Sequence, residues 1–102
     1  MKIPDDPFII ELLPEFIDTW IDDINNQLPV ILETQNTDEL YRFGHTIKGS
    51  CLQFGLDEVA SIGIKIMGYS KESNWAEARA TEPILKQTFA EVKLFVESQL
   101  NK

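Results

Sequence analysis

One segment, residues 36–55, reads NTDELYRFGHTIKGSCLQFG and predicts a helix with a defined start and end. Asn36 has a capping side chain, and acidic residues follow it in the first turn, where the helix dipole favours them. Gly55 suits the left-handed position that often closes a helix. Apolar residues recur between these ends at the three- and four-residue spacing of one helix face. They are Leu40, Phe43, Ile47, Cys51 and Phe54.

Apolar stripes with helical spacing also occur on both sides of this segment, and no alternation of period two or Asn-Gly turn marks a strand. The stripes are Ile17, Trp20, Ile21, Ile24, Leu28, Ile31 and Leu32, then Val59, Ile62, Gly63 and Ile66, and last Leu85, Thr88, Phe89, Val92, Phe95, Val96 and Leu100. Four main helices with short connections favour an all-α fold, an antiparallel up-down four-helix bundle.

Prolines leave several helix boundaries to be decided. Residues 8–13 suggest a short N-terminal capping helix, with Pro14 near the start of the next helix, where its missing N–H costs little. Pro29 falls inside the following stripe, and we expect it to kink that helix rather than divide it. The last helix either starts near Pro83 or includes residues 75–80 upstream.

Length and composition restrict the function. The 102 residues fit a single domain, residues 1–102, that buries roughly two-thirds of its unfolded surface. The net charge of −8 and the pI near 4.5 argue against binding to nucleic acid or anionic lipid. The N-terminus does not resemble a secretory signal, and no apolar run approaches the roughly 20 residues of a membrane span. We therefore expect a cytoplasmic, monomeric protein that binds other proteins.

The reactive residue types are few. Cys51 is the single cysteine and His45 the single histidine, so neither an internal disulfide nor a zinc or iron site is expected. No glycine-rich nucleotide loop is present, so we expect no ATP site and no kinase activity. An independent hydrolase would need a second acid or base near the histidine, and the sequence offers none.

His45 lies about 150° from the centre of the apolar face at ~100° per residue, so we expect its ring to meet solvent. A lone surface histidine is usually incidental, and its neighbours decide its meaning. Arg42 and Lys48 lie three residues before and after it in an otherwise acidic chain, and Gly49 leaves room. A neutral imidazole has a free lone pair, and phosphoryl transfer needs chiefly positioning and charge neutralisation. The pattern therefore suggests a phosphoryl group carried on His45.

A second apolar strip is predicted beside His45. It comprises Leu52, Ala60, Ile64 and Met67, and Gly68 and Lys71 continue it. An apolar patch next to an exposed histidine is typical of a protein docking site. A broad buried face is the alternative, more so for Ala60 than for Met67, and the exposure of Leu52 and Ile64 decides between the two.

These residues resemble the signature of histidine phosphotransfer (HPt) domains of two-component phosphorelays. That signature is a phosphorylated His followed by an apolar residue, Lys, Gly and a small residue, and then by a Gly that closes the helix. The matching residues are His45, Ile47, Lys48, Gly49, Ser50 and Gly55. The resemblance covers most of the chain and is strong because Gly55 and the order of the helices agree with it.

The resemblance implies that His45 is the phosphoacceptor, that Lys48 steadies the phosphoryl group and that Gly49 leaves space for a receiver domain. Donor and acceptor would be aspartates on receiver domains, which bind Mg²⁺ themselves, so no cofactor or metal is expected on this chain. We expect further phosphate stabilisation from Arg42 and Lys71. The expected docking residues are Tyr41, Gly49, Leu52, Ile64, Met67 and Gly68.

One position departs from the family pattern. Many members carry a Glu or Gln on the fourth helix near the histidine, where this chain has Met67 by ungapped count. Lys71, one turn later, would have to reach the phosphate instead. The main prediction is a phosphocarrier without kinase activity, which relays phosphoryl groups between receiver aspartates through His45. The alternative is an HPt-like adaptor that docks receivers without being phosphorylated.

Overall fold

The computed structural model describes residues 3–101, which form five α-helices and no strand. The helices are α1 (Pro7–Asn26), α2 (Leu28–Thr34), α3 (Thr37–Gln53), α4 (Asp57–Glu72) and α5 (Trp75–Leu100). Four of them are long, and the short α2 connects α1 to α3. The main packing pairs are α3 with α4, α1 with α5, and α4 with α5. The predicted all-α helical bundle is confirmed.

The predicted short capping helix is not a separate element. Residues 8–13 belong to α1, which continues through Pro14 as far as Asn26. Asp6 caps this helix, because its carboxylate accepts a hydrogen bond from the Phe8 N–H at 2.9 Å. The buried stripe of α1 passes Pro14 on both sides, with Leu13 before it and Ile17 after it. Burial of this continuous stripe outweighs the roughly 3 kcal/mol that an internal proline costs.

The second proline prediction is also wrong, since the chain divides where a kink was expected. Gln27 ends α1 and precedes α2, and Pro29 lies in the first turn of α2. A proline has no N–H to donate to the carbonyl four residues earlier, but it is tolerated in a first turn. α2 then ends at Gln35, which has a left-handed φ of 51°. The chain then passes through Asn36 directly into α3.

α3 has the two ends that its sequence predicts. The Asn36 side chain accepts a hydrogen bond from the Glu39 N–H at 3.1 Å, and Gly55 has a φ of +75° directly after the helix. α4 follows within a few residues, so α3 and α4 form an antiparallel hairpin. α5 begins upstream of Pro83, because Asn74 caps it by accepting from the Glu77 N–H at 3.3 Å.

The core lies between the helices and contains most residues of the predicted stripes, but the prediction is wrong for Phe95 and Leu100 of α5, which are 46% and 47% exposed. Trp20 of α1 links two of its layers, with its ring stacked on Phe89 at 6.3 Å and edge-on to Phe43 at 5.7 Å. Twelve large side chains are almost fully buried: Leu13, Ile17, Ile24, Leu28, Leu40, Ile47, Leu56, Val59, Ile66, Leu85, Phe89 and Val92. No helix within residues 3–101 combines the length and apolar character that crossing a membrane requires.

Candidate functional site

His45 lies on the outer surface of α3 and its side chain is exposed. Its neighbours Phe43, Gly44 and Ile47 are buried, so the buried face of α3 points away from it. The helix phase read from the sequence is therefore correct. No hydrogen bond from residues 3–101 reaches the imidazole ring, which leaves both ring nitrogens open to a visiting group.

Two glycines bring α4 close to the histidine-bearing helix. A Cβ added to Gly44 would lie 2.8 Å from the Gly63 carbonyl oxygen, and one added to Gly63 would lie 2.7 Å from the Gly44 carbonyl oxygen. Real Cβ atoms do not approach other heavy atoms so closely, so the two backbones meet where side chains are absent. Sequence reasoning placed Gly63 on the α4 stripe but missed Gly44, although its position between Leu40 and Ile47 puts it in the buried phase.

A buried hydrogen bond fixes the other end of the same helix pair. The Ser70 hydroxyl of α4 donates to the Thr37 carbonyl oxygen of α3 at 2.5 Å, and Ser70 is only 5% exposed. The bond satisfies the buried Ser70 hydroxyl and sets the register between the helices. Lys71, the next residue, is thereby placed beside the first turns of α3.

An aromatic ring lies next to the histidine ring and nearly parallel to it. Tyr41 precedes His45 by one helical turn, and the two ring centroids are 6.3 Å apart with 24° between the planes. The Lys71 ammonium lies over the Tyr41 ring, 5.6 Å from its centroid. Such spacings are typical of aromatic stacking and of cation–π contacts. Lys71 therefore contacts Tyr41, the ring that lies next to the imidazole. The sequence alone did not predict this contact.

The two cations on α3 have different surroundings. The Arg42 guanidinium pairs with the Glu39 carboxylate at 2.7 Å, so a neighbouring charge already offsets its own. Lys48 is half-buried, and no carboxylate among residues 3–101 forms an ion pair with it. Lys48 is consequently better suited than Arg42 to pair with an incoming anionic group.

The second apolar strip is resolved residue by residue. Leu52 and Ile64, the two deciding positions, are 49% and 53% exposed. Met67 and Gly68 are half-buried, and Ala60 belongs to the core. The strip beside His45 is thus an exposed surface carried by Leu52 and Ile64, with Ala60 excluded from it.

The glycines on this surface leave it flat. A Cβ added to Gly49 or to Gly68 would meet no atom within 4 Å from residues 3–101 outside its own turn of helix. Neither glycine is required for packing between the helices. Both positions are therefore uncrowded.

One surface depression includes the histidine, and a second lies next to Thr46, the residue that follows it. A shallow pocket of about 450 Å³ is lined by Asp38, Tyr41, Arg42 and His45. A groove of about 410 Å³ between α1 and α3 reaches Thr46 and Ser50, and the stacked rings of Phe16 and Phe54 lie along it. Sequence reasoning did not place Asp38 beside the histidine, although it lies two helical turns earlier. Among residues 3–101, no group of three or more His, Cys, Asp or Glu side chains could hold a metal ion.

Comparison with known proteins gives one match. The family model described as the Hpt domain matches residues 9–94 and so covers most of the chain. No curated protein and no solved structure matched it.

Proposed function

The chain belongs to the Hpt domain family, and on this premise we propose that it relays phosphoryl groups between receiver-domain aspartates through His45. Hpt domains are phosphocarriers of two-component systems that interact with receiver domains and have no ATP site of their own. The observation that carries the assignment to His45 is the outward orientation of the only histidine in the chain. A buried ring could not meet a second protein.

The proposed transfer is a displacement at phosphorus. The unprotonated nitrogen of the His45 ring attacks the phosphorus of a receiver aspartyl phosphate, and an N–P bond forms as the P–O bond to the carboxylate breaks. The aspartate leaves with the electron pair of that bond. The ring keeps the proton on its other nitrogen, and the positive charge this produces offsets part of the phosphoryl charge. Transfer to the next receiver is the same step in reverse.

The surroundings of His45 support this chemistry. Little covalent machinery is needed, because phosphoryl transfer depends on in-line positioning and on neutralisation of the oxygens. Lys48, three residues from His45, supplies a cation without an ion-pair partner among residues 3–101. The open Gly49 position and the exposed Leu52 and Ile64 provide a flat, partly apolar surface on which a receiver can dock.

The test is transfer from a phosphorylated receiver in the presence of Mg²⁺. Receivers of the source organism, labelled with ³²P, are mixed one at a time with the wild type and with His45→Gln, which keeps a polar side chain of similar size. We expect an acid-labile, base-stable label on the wild type and none on the variant. Label that persists in His45→Gln would contradict the assignment.

The same experiment separates the carrier from the adaptor. The adaptor reading rests on Met67, which offers no polar contact to the histidine. Tight binding of a phosphorylated receiver without any label on the wild type would favour it and would exclude the carrier. As a control, the binding of unphosphorylated receiver to the wild type and to His45→Gln is compared, which shows whether binding alone depends on His45.

A further inference from the structure

The structure assigns a positioning role to Tyr41: we infer that its ring holds the His45 imidazole in the orientation that accepts and donates the phosphoryl group. This inference rests on the proposed function of His45. The two rings are nearly parallel, with 24° between their planes and 6.3 Å between their centroids. Tyr41 was expected only to contact the receiver.

His45 has few other constraints on its orientation. Its side chain is exposed, and no hydrogen bond from residues 3–101 reaches the ring. An exposed imidazole without partners visits several rotamers, and only some of them aim a nitrogen lone pair at an incoming phosphorus. Stacking restricts the ring plane. The nitrogen lone pairs lie in the plane of the imidazole, so a neighbouring ring that is nearly parallel to it leaves them free.

Tyr41 is itself fixed by the neighbouring helix. Its side chain is half-buried, and the Lys71 ammonium of α4 lies 5.6 Å from the centre of its ring. The hydrogen bond from Ser70 to the Thr37 carbonyl holds this part of α4 against α3, one residue from Lys71 and one turn from Tyr41. The Tyr41 ring thus connects the orientation of the imidazole to the packing of α4, although we do not expect Tyr41 itself to contact phosphorus.

A docking role and a positioning role predict different results with a small phosphoryl donor. Phosphoramidate needs no docking surface: the His45 nitrogen attacks its phosphorus, the P–N bond breaks, and the nitrogen leaves as ammonia after taking up a proton. A variant that only weakens docking is phosphorylated by phosphoramidate at the wild-type rate. A variant that releases the imidazole is phosphorylated more slowly by both donors.

The experiment compares three variants with the wild type. Tyr41→Leu removes the aromatic ring but keeps a side chain that favours helix, Tyr41→Phe keeps the ring, and Tyr69→Leu makes the same change on the half-buried side of α4 that packs on the core. Phosphohistidine formation from phosphoramidate is followed by ³¹P NMR. We expect Tyr41→Leu to slow it roughly three- to tenfold, the range that loss of an aromatic pair allows. Tyr41→Phe and Tyr69→Leu should match the wild type.

Two readouts distinguish positioning from a general loss of structure. In transfer from a phosphoreceiver, Tyr41→Leu should lower kcat and leave KM within about twofold, and Tyr41→Phe should restore kcat. The ¹H resonances of the His45 ring should lose their ring-current shift in Tyr41→Leu and keep it in Tyr41→Phe.

The inference is overturned if Tyr41→Leu takes phosphoryl groups from phosphoramidate at the wild-type rate, or if only KM for the receiver changes. It is also overturned if Tyr41→Phe is as slow as Tyr41→Leu, because the hydroxyl rather than the ring would then be responsible. Failure of the proposed function looks different: the wild type itself would accept no label from either donor.

Discussion

Gly44 and Gly63 face each other where α3 crosses α4, so closely that a Cβ on either residue would lie less than 3 Å from the other's carbonyl oxygen. A Cβ on Gly63 would also lie 2.8 Å from the backbone nitrogen of Lys48, in the turn that follows His45. This close approach determines how far α4 stands from the histidine. Ile64 follows Gly63 in the sequence, so the same close approach fixes where its exposed side chain lies.

Gly63→Ala should therefore destabilise the fold by about 1–3 kcal/mol, because the methyl group meets backbone atoms that cannot rotate away. In an ordinary helix the same change is stabilising, since glycine is the poorer helix former. Urea unfolding followed by circular dichroism measures the difference.

Gly49→Ala is the matched control on the other helix. Its Cβ would meet no atom within 4 Å from the described part of the chain outside its own turn of helix, so the variant should gain up to about 1 kcal/mol from helix propensity alone. Opposite signs for the two variants are the expected outcome. If both variants are stabilised, the helices do not approach each other as described.

How much of the fold could be predicted depends on how local its causes are. α3 was predicted with both ends correct because Asn36 and Gly55 act within a few residues of themselves. Pro14 and Pro29 were assigned the wrong effects because a proline's cost is weighed against burial elsewhere. The stripe through Leu13 and Ile17 keeps α1 continuous across Pro14, whereas the chain divides next to Pro29.

In the candidate site, too, features with local causes could be predicted and features that depend on distant contacts could not. The outward direction of His45 follows from helix periodicity, so the sequence suffices for it. The Tyr41 ring lies one turn from His45, but its contact with Lys71 depends on the register of α4. That register is set by a glycine pair and by the Ser70 hydrogen bond, which join residues distant in sequence. Periodicity within one helix does not reveal such contacts.

Lys48→Ala should slow phosphoryl transfer on the order of tenfold, equivalent to the loss of one charge-assisted hydrogen bond to the phosphoryl oxygens. Its stability should stay within about 0.5 kcal/mol of the wild type, since Lys48 is half-buried and forms no ion pair with residues 3–101. Single-turnover transfer and urea unfolding measure the two effects.

Lys48→Arg serves as the control because it keeps the charge while changing the shape of the donor. It should retain more activity than Lys48→Ala. Equal rates for the wild type and Lys48→Ala would remove Lys48 from the site.

Ile64→Glu should weaken receiver binding about tenfold or more, because a charge would replace an apolar side chain in the expected interface. The residue is 53% exposed, so the fold should tolerate the change. Leu94→Glu is the matched control, since Leu94 is 68% exposed on α5, which is not among the helices that carry the site. Titration calorimetry with a cognate receiver compares them. Equal affinity loss in both variants would point to charge repulsion rather than to a docking surface at Ile64.

The buried Cys51 thiol should make the stability fall at alkaline pH. Burial raises its pKa from 9.0 to about 12. Above pH 9 the unfolded chain loses this proton while the folded chain keeps it, so deprotonation favours unfolding. The contribution is constant below pH 9 and decreases by up to about 1.4 kcal/mol per pH unit between the two values. Urea unfolding at pH 8 and pH 10.5 measures it, with Cys51→Ala as the control that lacks the titrating group while keeping every tyrosine and lysine. The wild type should lose more stability than Cys51→Ala over this interval, and parallel losses in the two proteins would mean that the thiol reaches solvent in the folded state.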